Sequence, residues 1–90
     1  MERDFALLVR SQITADQITQ LALKAAQPLA KSAKIFDVYR GSQVAEGMTS
    51  IAVRVIFCDE TRSLTESEAE AASKKILEVW QKELQAELRG

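Results

Sequence analysis

Three short segments along the chain carry the hydrophobic patterns of β-strands. Residues 5–9 form an apolar run that is too short for a helix and predicts a buried strand. Residues 33–39 alternate and contain β-branched and aromatic side chains, which predicts a second strand. Apolar side chains recur with period two over residues 51–57, which predicts a half-buried third strand. We expect it to pair with the second strand as a hairpin across a loop at 41–47.

Two longer segments have helical periodicity, and each begins with a capping box. Thr14 and Gln17 have the spacing in which the Thr hydroxyl accepts from the N3 amide and the Gln side chain reaches back. The apolar stripe that follows predicts a helix that kinks or ends near Pro28, which lacks an amide donor. Thr65 and Glu68 open the second helix in the same way. Its stripe consists of Ala69, Ala72, Ile76, Val79, Trp80 and Leu84.

The order of these elements predicts the fold. A short final strand is expected at 87–89, from its position after the second helix, so the order is strand, helix, strand, strand, helix, strand. This is the split βαβ arrangement of ferredoxin-like folds. We therefore predict one α+β domain over residues 1–90, a ferredoxin-like βαββαβ sandwich with a four-stranded antiparallel sheet and two helices on one face. The other face stays open, and function is to be sought there.

Alternation along the strands predicts which side chains lie on the open face. In the third strand the larger apolar set, residues 51, 53, 55 and 57, should face the helices. In the second strand Phe36 and Val38 make the better core pair, which turns Ile35, Asp37 and Tyr39 outward. The open face then gathers Ala6, Leu8, Asp37, Tyr39, Ser50, Ala52 and Arg54. Such a surface suits a flat ligand, and a stacked nucleobase is the obvious candidate. The alternative is a sheet face that another domain or subunit covers.

Composition excludes several classes of function. The 90 residues include 12 Lys or Arg, 13 Asp or Glu, no His and one Cys, for a net charge of −1. This charge argues against a protein that binds nucleic acid by bulk electrostatics. Without His, the Ser-His and Cys-His nucleophile pairs and His-metal sites are excluded, and Cys58 alone forms neither a zinc cage nor a copper-chaperone pair. An acylphosphatase would need a Gly-rich phosphate loop and an Asn, and the sequence has neither.

The sequence predicts a cytoplasmic protein without a membrane segment. No apolar run approaches the ~20 residues that a membrane helix needs. The opening residues 1–4 do not have the basic-then-apolar pattern of a secretory signal. We expect a non-catalytic domain with no metal site.

Four short motifs are similar to motifs of a known family. They are residues 3–6 (RDFA), residues 36–41 (FDVYRG), residues 46–47 with Ser50, and residues 61–65 (TRSLT). In this order and spacing the chain resembles the ferredoxin-fold anticodon-binding domain that ends the β subunit of bacterial-type phenylalanyl-tRNA synthetase. The resemblance covers essentially the whole chain, so we expect the chain to be the C-terminal domain of such a subunit.

The resemblance implies a binding role for the domain. It carries no catalytic group or cofactor and binds the anticodon stem-loop of phenylalanine tRNA, while aminoacylation occurs far away, at a site in the α subunit of an α2β2 enzyme that uses ATP and Mg²⁺. In the family the Tyr of the Phe-Asp-x-Tyr motif stacks on the first anticodon base, which implies this role for Tyr39. Asp37 is placed to accept from that base, Ser50 matches the small polar position opposite, and Ala6 matches the small position on the first strand.

Some assignments stay open at the level of the sequence. The family commonly has a Pro and a Lys where this chain has Ala45 and Thr49, which puts a phosphate contact from position 49 in doubt. Arg54 and Arg40 are candidates to supply that charge to the RNA, as are Lys34 and Arg10. Asp37 could instead cap the hairpin or pair with Arg54 or Arg40. For the whole chain, the alternative function is a regulatory or oligomerising ferredoxin-like module that binds a small molecule or a partner sheet.

Overall fold

The computed structural model describes residues 1–41 and 44–89 of the chain, and only the backbone of Arg89. Its elements in chain order are β1 Glu2–Arg10, α1 Ala15–Ala25, β2 Ala30–Tyr39, β3 Met48–Phe57, α2 Glu66–Leu84 and β4 Glu87–Arg89. This order confirms the predicted βαββαβ arrangement, with β1, β2 and β3 starting earlier than their apolar patterns indicated. The predicted loop at 41–47 includes residues 42 and 43, which, like residue 90, lie outside the described residues.

Both helices begin at the capping boxes that the sequence predicts. Thr14 Oγ1 accepts from the amide of Gln17 at 3.1 Å, and Gln17 Oε1 accepts from the amide of Thr14 at 2.8 Å. Thr65 and Glu68 make the same reciprocal pair at 3.2 and 3.1 Å. These bonds satisfy amides that a helix N-terminus otherwise leaves without acceptors. At its other end α1 stops at Ala25, before Pro28, as predicted.

The four strands form one antiparallel sheet in the order β2-β3-β1-β4. Its core face carries the fully buried side chains Leu7, Val9, Val53, Val55 and Phe57. Both helices pack on this face through Ile18, Ile76 and Trp80. The indole of Trp80 meets the Phe5 ring edge-on at 5.4 Å, and its Nε1 donates to the carbonyl of Ile18 at 2.9 Å. None of the helices in the described ranges is long and apolar enough to cross a membrane.

The opposite face of the sheet consists of rows of paired residues, and in the described part of the chain no helix packs over it. The first row joins Tyr39, Ser50, Leu8 and Glu87 across the four strands. The second row joins Asp37, Ala52, Ala6 and Arg89 in the same order. A third row consists of Lys34, Arg54 and Asp4. All the described side chains in these rows are exposed or half-buried, and we call this surface the open face.

A β-bulge in β2 overturns part of the predicted face assignment. Ile35 pairs with Val53 while Asp37 pairs with Ala52, so Phe36 is an extra residue without a partner in β3. The prediction that Phe36 packs in the core and Ile35 points outward is therefore wrong, and Val38, the other half of the predicted core pair, faces the helix side but is 53% exposed. Ile35 packs against the core, and Phe36 is 52% exposed. Strict alternation assumed an unbroken strand, and the extra residue reverses the phase of the pattern at position 36.

Candidate nucleic-acid interface

Tyr39 lies at the surface of the open face, directly opposite Ser50. This pairing confirms that Tyr39 lies on the side of the sheet opposite the helices, and the residue is 44% exposed. Its ring leans along the chain towards Gly41, where an added Cβ would lie 3.2 Å from Tyr39 Oη and 3.4 Å from Cζ. The ring therefore rests against bare backbone at one edge and is accessible to a flat ligand, which an aromatic ring binds by stacking.

The row beside Tyr39 combines a carboxylate with a floor of small side chains. Asp37, Ala52 and Ala6 are paired across β2, β3 and β1. Both alanines are half-buried, so their methyl groups form the surface and leave space above it. Asp37 is exposed, and among the described residues no ion pair holds its carboxylate. A carboxyl group at this position can accept hydrogen bonds from a flat ligand that lies over the alanines.

Arg54 lies on the open face but is held by acidic neighbours. Its Nε and Nη2 donate to Asp4 Oδ1 and Oδ2 at 2.9 and 3.1 Å, and Glu2 Oε2 lies 4.0 Å from Nε. These bonds lower the pKa of Asp4 below its usual value, chiefly through the hydrogen bond from Arg54. The guanidinium Cζ also lies over the Phe36 ring, 4.8 Å from its centroid. The suggested pairing of Arg54 with Asp37 is therefore wrong, because the guanidinium pairs with Asp4 instead.

Arg40 is a candidate that the structure does not bring to the open face, whereas Arg10 is exposed and lies two residues beyond Leu8 on β1. Arg40 Nε donates to Thr49 Oγ1 at 3.2 Å, and Thr49 is only 2% exposed. Thr49 pairs with the buried Val9, so it lies on the helix side of the sheet. The alternative pairing of Arg40 with Asp37 is not made either. Position 49, where the family commonly carries Lys, thus faces away from Tyr39.

The motif at 61–65 stabilises the start of α2 instead of forming part of the open face. Arg62 donates through Nη1 to Glu68 Oε1 at 2.6 Å and through Nη2 to Oε2 of the same carboxylate. With help from the Thr65 amide, these bonds lower the pKa of Glu68 from 4.5 to about 2. Asp59 accepts from the Thr61 amide at 2.9 Å, and that bond is the main reason its pKa is lowered as well.

Sequence reasoning placed Tyr39, Asp37, Ser50, Ala6 and Arg54 on the open face, and the structure agrees. It missed the Phe36 ring and the Asp4 carboxylate. The Lys34–Arg54–Asp4 row follows from alternation once the bulge is known, but alternation alone does not reveal a bulge. In the described part of the chain, no three His, Cys, Asp or Glu side chains come together as metal ligands would.

Comparison with known proteins decides the family. A family model described as "Ferredoxin-fold anticodon binding domain" matches residues 1–89. The chain belongs to this family. The relatives include the phenylalanine–tRNA ligase β subunits of Chromobacterium violaceum, 43% identical over 99% of the chain, and Geobacillus kaustophilus, 35% identical over 98%. The β subunit of Corynebacterium efficiens is 34% identical over the whole chain.

This anticodon-binding family member is much shorter than the proteins it resembles. The chain spans 11% of the length of each of these β subunits. The ferredoxin-like α+β fold expected of the family is the fold observed.

Proposed function

We propose that the chain is the anticodon-recognition domain of a phenylalanine–tRNA ligase β subunit, and that its open face binds the anticodon stem-loop of phenylalanine tRNA. The observation that carries this proposal is the position of Tyr39, an exposed ring beside a carboxylate and a floor of alanines on an uncovered sheet. Sequence-specific RNA recognition targets unpaired loop bases, which stack on aromatic side chains and present their edges to polar groups.

Each side chain has a separate part in the proposed recognition. Tyr39 stacks on a base, Asp37 accepts from its edge, and Ser50 bonds beside it from β3. Ala6 and Ala52 contribute by being small, because a larger side chain would occupy the space of the base. The chain supplies no reacting group, and the step that uses ATP and Mg²⁺ takes place in the α subunit of an α2β2 enzyme.

The weak charge of the chain fits recognition of a few unpaired bases. Arg54, an arginine near the middle of the open face, is already paired with Asp4. Stacking contributes ~1–3 kcal/mol per base without requiring a basic surface. The remaining affinity of an intact ligase for tRNA would come from its other domains.

The proposal is tested by charging kinetics of a phenylalanine–tRNA ligase whose β subunit carries this chain. Tyr39→Ala should lower kcat/KM for tRNA roughly 5- to 150-fold, the equivalent of one lost stack. Tyr39→Phe, which keeps the ring, should retain most of the activity. Amino-acid activation, followed by ATP–pyrophosphate exchange, should be unchanged in both variants because the reacting groups lie elsewhere.

Val38→Ala is the matched control for this experiment. Val38 is 53% exposed and adjacent to Tyr39, but it pairs with Ile51 on the opposite side of the sheet. It should leave kcat/KM for tRNA unchanged. Equal losses in Val38→Ala and Tyr39→Ala, or no loss in Tyr39→Ala, would defeat the proposal. Sedimentation tests the rival oligomerisation module: a stable dimer that buries Tyr39 would favour it.

A further inference from the structure

The bulge in β2 brings a second aromatic ring to the open face. Because Phe36 has no partner in β3, it shares a face with Asp37, its neighbour in the chain. The ring is 52% exposed, so it forms part of the surface of this face. The guanidinium of Arg54 lies over it, with Cζ 4.8 Å from the ring centroid.

Arg54 is fixed from two directions at this point. Asp4 holds one edge of the guanidinium through two hydrogen bonds of 2.9 and 3.1 Å. The Phe36 ring contacts it from a second side, with its centroid 4.8 Å from Cζ. These contacts restrict a long flexible side chain before a ligand arrives, which lowers the entropy cost of ordering it on binding.

The Arg54 guanidinium is separate from the Tyr39 stacking position. Arg54 follows Ser50, the partner of Tyr39, by four residues along β3, which corresponds to about 13 Å of strand. The Tyr39 ring leans further away, towards Gly41. Between the two positions lies Ala52, whose methyl group leaves the path between them open.

The charges around Arg54 favour a base over a phosphate as its ligand. Asp4 neutralises the guanidinium and Glu2 lies 4.0 Å from Nε, while Lys34, opposite Arg54 on β2, offsets the second carboxylate, so these four side chains carry no net charge. A phosphate would gain little attraction from this group. An uncharged nucleobase does not depend on such attraction, and a guanidinium plane is one of the surfaces on which unpaired RNA bases stack.

We propose that Arg54, in contact with Phe36 and hydrogen-bonded to Asp4, is a second stacking position. It binds an unpaired base of the RNA loop, and Tyr39 binds a different base of the same loop. This inference rests on the proposed function. It makes the open face a surface for at least two bases, one on each side of the alanine floor.

The test is an NMR titration of the chain with a phenylalanine anticodon stem-loop and with copies in which one loop nucleotide is made abasic. Arg54→Lys keeps the charge but removes the plane, and should weaken binding of the intact loop by roughly fivefold or more. Phe36→Leu should weaken binding in the same direction by removing the support. Lys82→Ala, an exposed change on α2 and far from both positions, is the control and should bind normally.

The abasic loops identify the base involved. At one loop position, removal of the base should weaken binding by the wild-type protein, and Arg54→Lys should bind that abasic loop with the same affinity as the wild type does. A different loop position should give the same result for Tyr39→Ala. Wild-type affinity in Arg54→Lys, or an equal loss on every abasic loop, overturns the second stacking position. If Tyr39→Ala also binds normally, the proposed function itself fails, so the two failures are distinguishable.

Discussion

The phenol of Tyr39 lies so close to the backbone of Gly41 that a Cβ at position 41 would stand 3.2 Å from its Oη and 3.4 Å from Cζ. Gly41 is two residues further along the chain, on the side towards which the ring leans. Its backbone is outside the left-handed region, so the absence of a side chain matters here for space and not for φ. Gly41 is therefore a positioning residue for the ring.

Gly41→Ala should displace the Tyr39 ring without unfolding the protein. The added methyl group would lie closer to the ring than ordinary van der Waals contact allows. The ring is the part that can move, because it is the far end of an exposed side chain. We expect weaker binding of the anticodon stem-loop by NMR titration and a free energy of unfolding within about 0.5 kcal/mol of wild type. Wild-type affinity in this variant would show that the ring orientation is unimportant for binding.

Trp80→Phe should destabilise the domain without altering the open face. It removes a buried hydrogen bond of 2.9 Å to the Ile18 carbonyl and leaves a cavity between α1, α2 and the sheet. The loss should be about 1–3 kcal/mol in the free energy of unfolding, measured by urea denaturation. Lys82→Ala, an exposed change on the same helix, is the control and should fall within about 0.5 kcal/mol of wild type. Equal stability of the two variants would contradict the assigned role of the indole.

Acid should weaken the domain through Glu68. The bonds from Arg62 and Thr65 lower the pKa of Glu68 from 4.5 to about 2, so the native state binds fewer protons than the unfolded state between these values. The stabilisation is therefore complete above about pH 4.5 and is lost as the pH falls towards 2. Asp4 and Asp59, whose pKa values are also lowered, act in the same direction.

The variant Glu68→Gln separates this carboxylate from the others. An amide can still serve as the N3 residue of a capping box, but it does not titrate. The free energy of unfolding, measured by urea denaturation at several pH values, should fall less steeply below pH 4.5 in Glu68→Gln than in the wild type. Parallel curves would show that the Arg62–Glu68 pair does not contribute to acid sensitivity.

Binding of the stem-loop should depend only weakly on salt. The rows of the open face contain Lys34, Arg54 and Arg89, Arg10 lies two residues beyond Leu8 on β1, and Arg54 is paired with Asp4. With about three phosphates neutralised at most, the slope of log K against log salt should be no steeper than about −2.1. Fluorescence anisotropy between low and moderate salt measures this slope. A much steeper dependence would point to a basic surface outside the open face.

The sequence predicts most of the fold because its signals are local. Two capping boxes define the starts of both helices, and Pro28 limits the first one. The period-two pattern of β3 assigns its buried face correctly at 51, 53, 55 and 57. The same reasoning fails at Phe36, because a bulge depends on how β2 pairs with β3 and leaves no mark in the alternation of one strand.

The site is predictable in part for a similar reason. Tyr39 and Asp37 lie beyond the bulge, where the pattern again matches the observed faces. The Arg54–Asp4 bond joins residues 50 positions apart, and Arg40 turns to Thr49 through contacts at the end of the hairpin. Such partners depend on register across strands, which no local pattern reveals.

The most direct test of the account is chemical-shift mapping of the isotope-labelled chain titrated with the phenylalanine anticodon stem-loop. The account predicts that the perturbed amides cluster on the open face, around Tyr39, Ser50, Ala52 and Ala6, and that α1 and α2 are unaffected. Perturbations confined to the helices, or no perturbation around Tyr39 at saturating RNA, would contradict it.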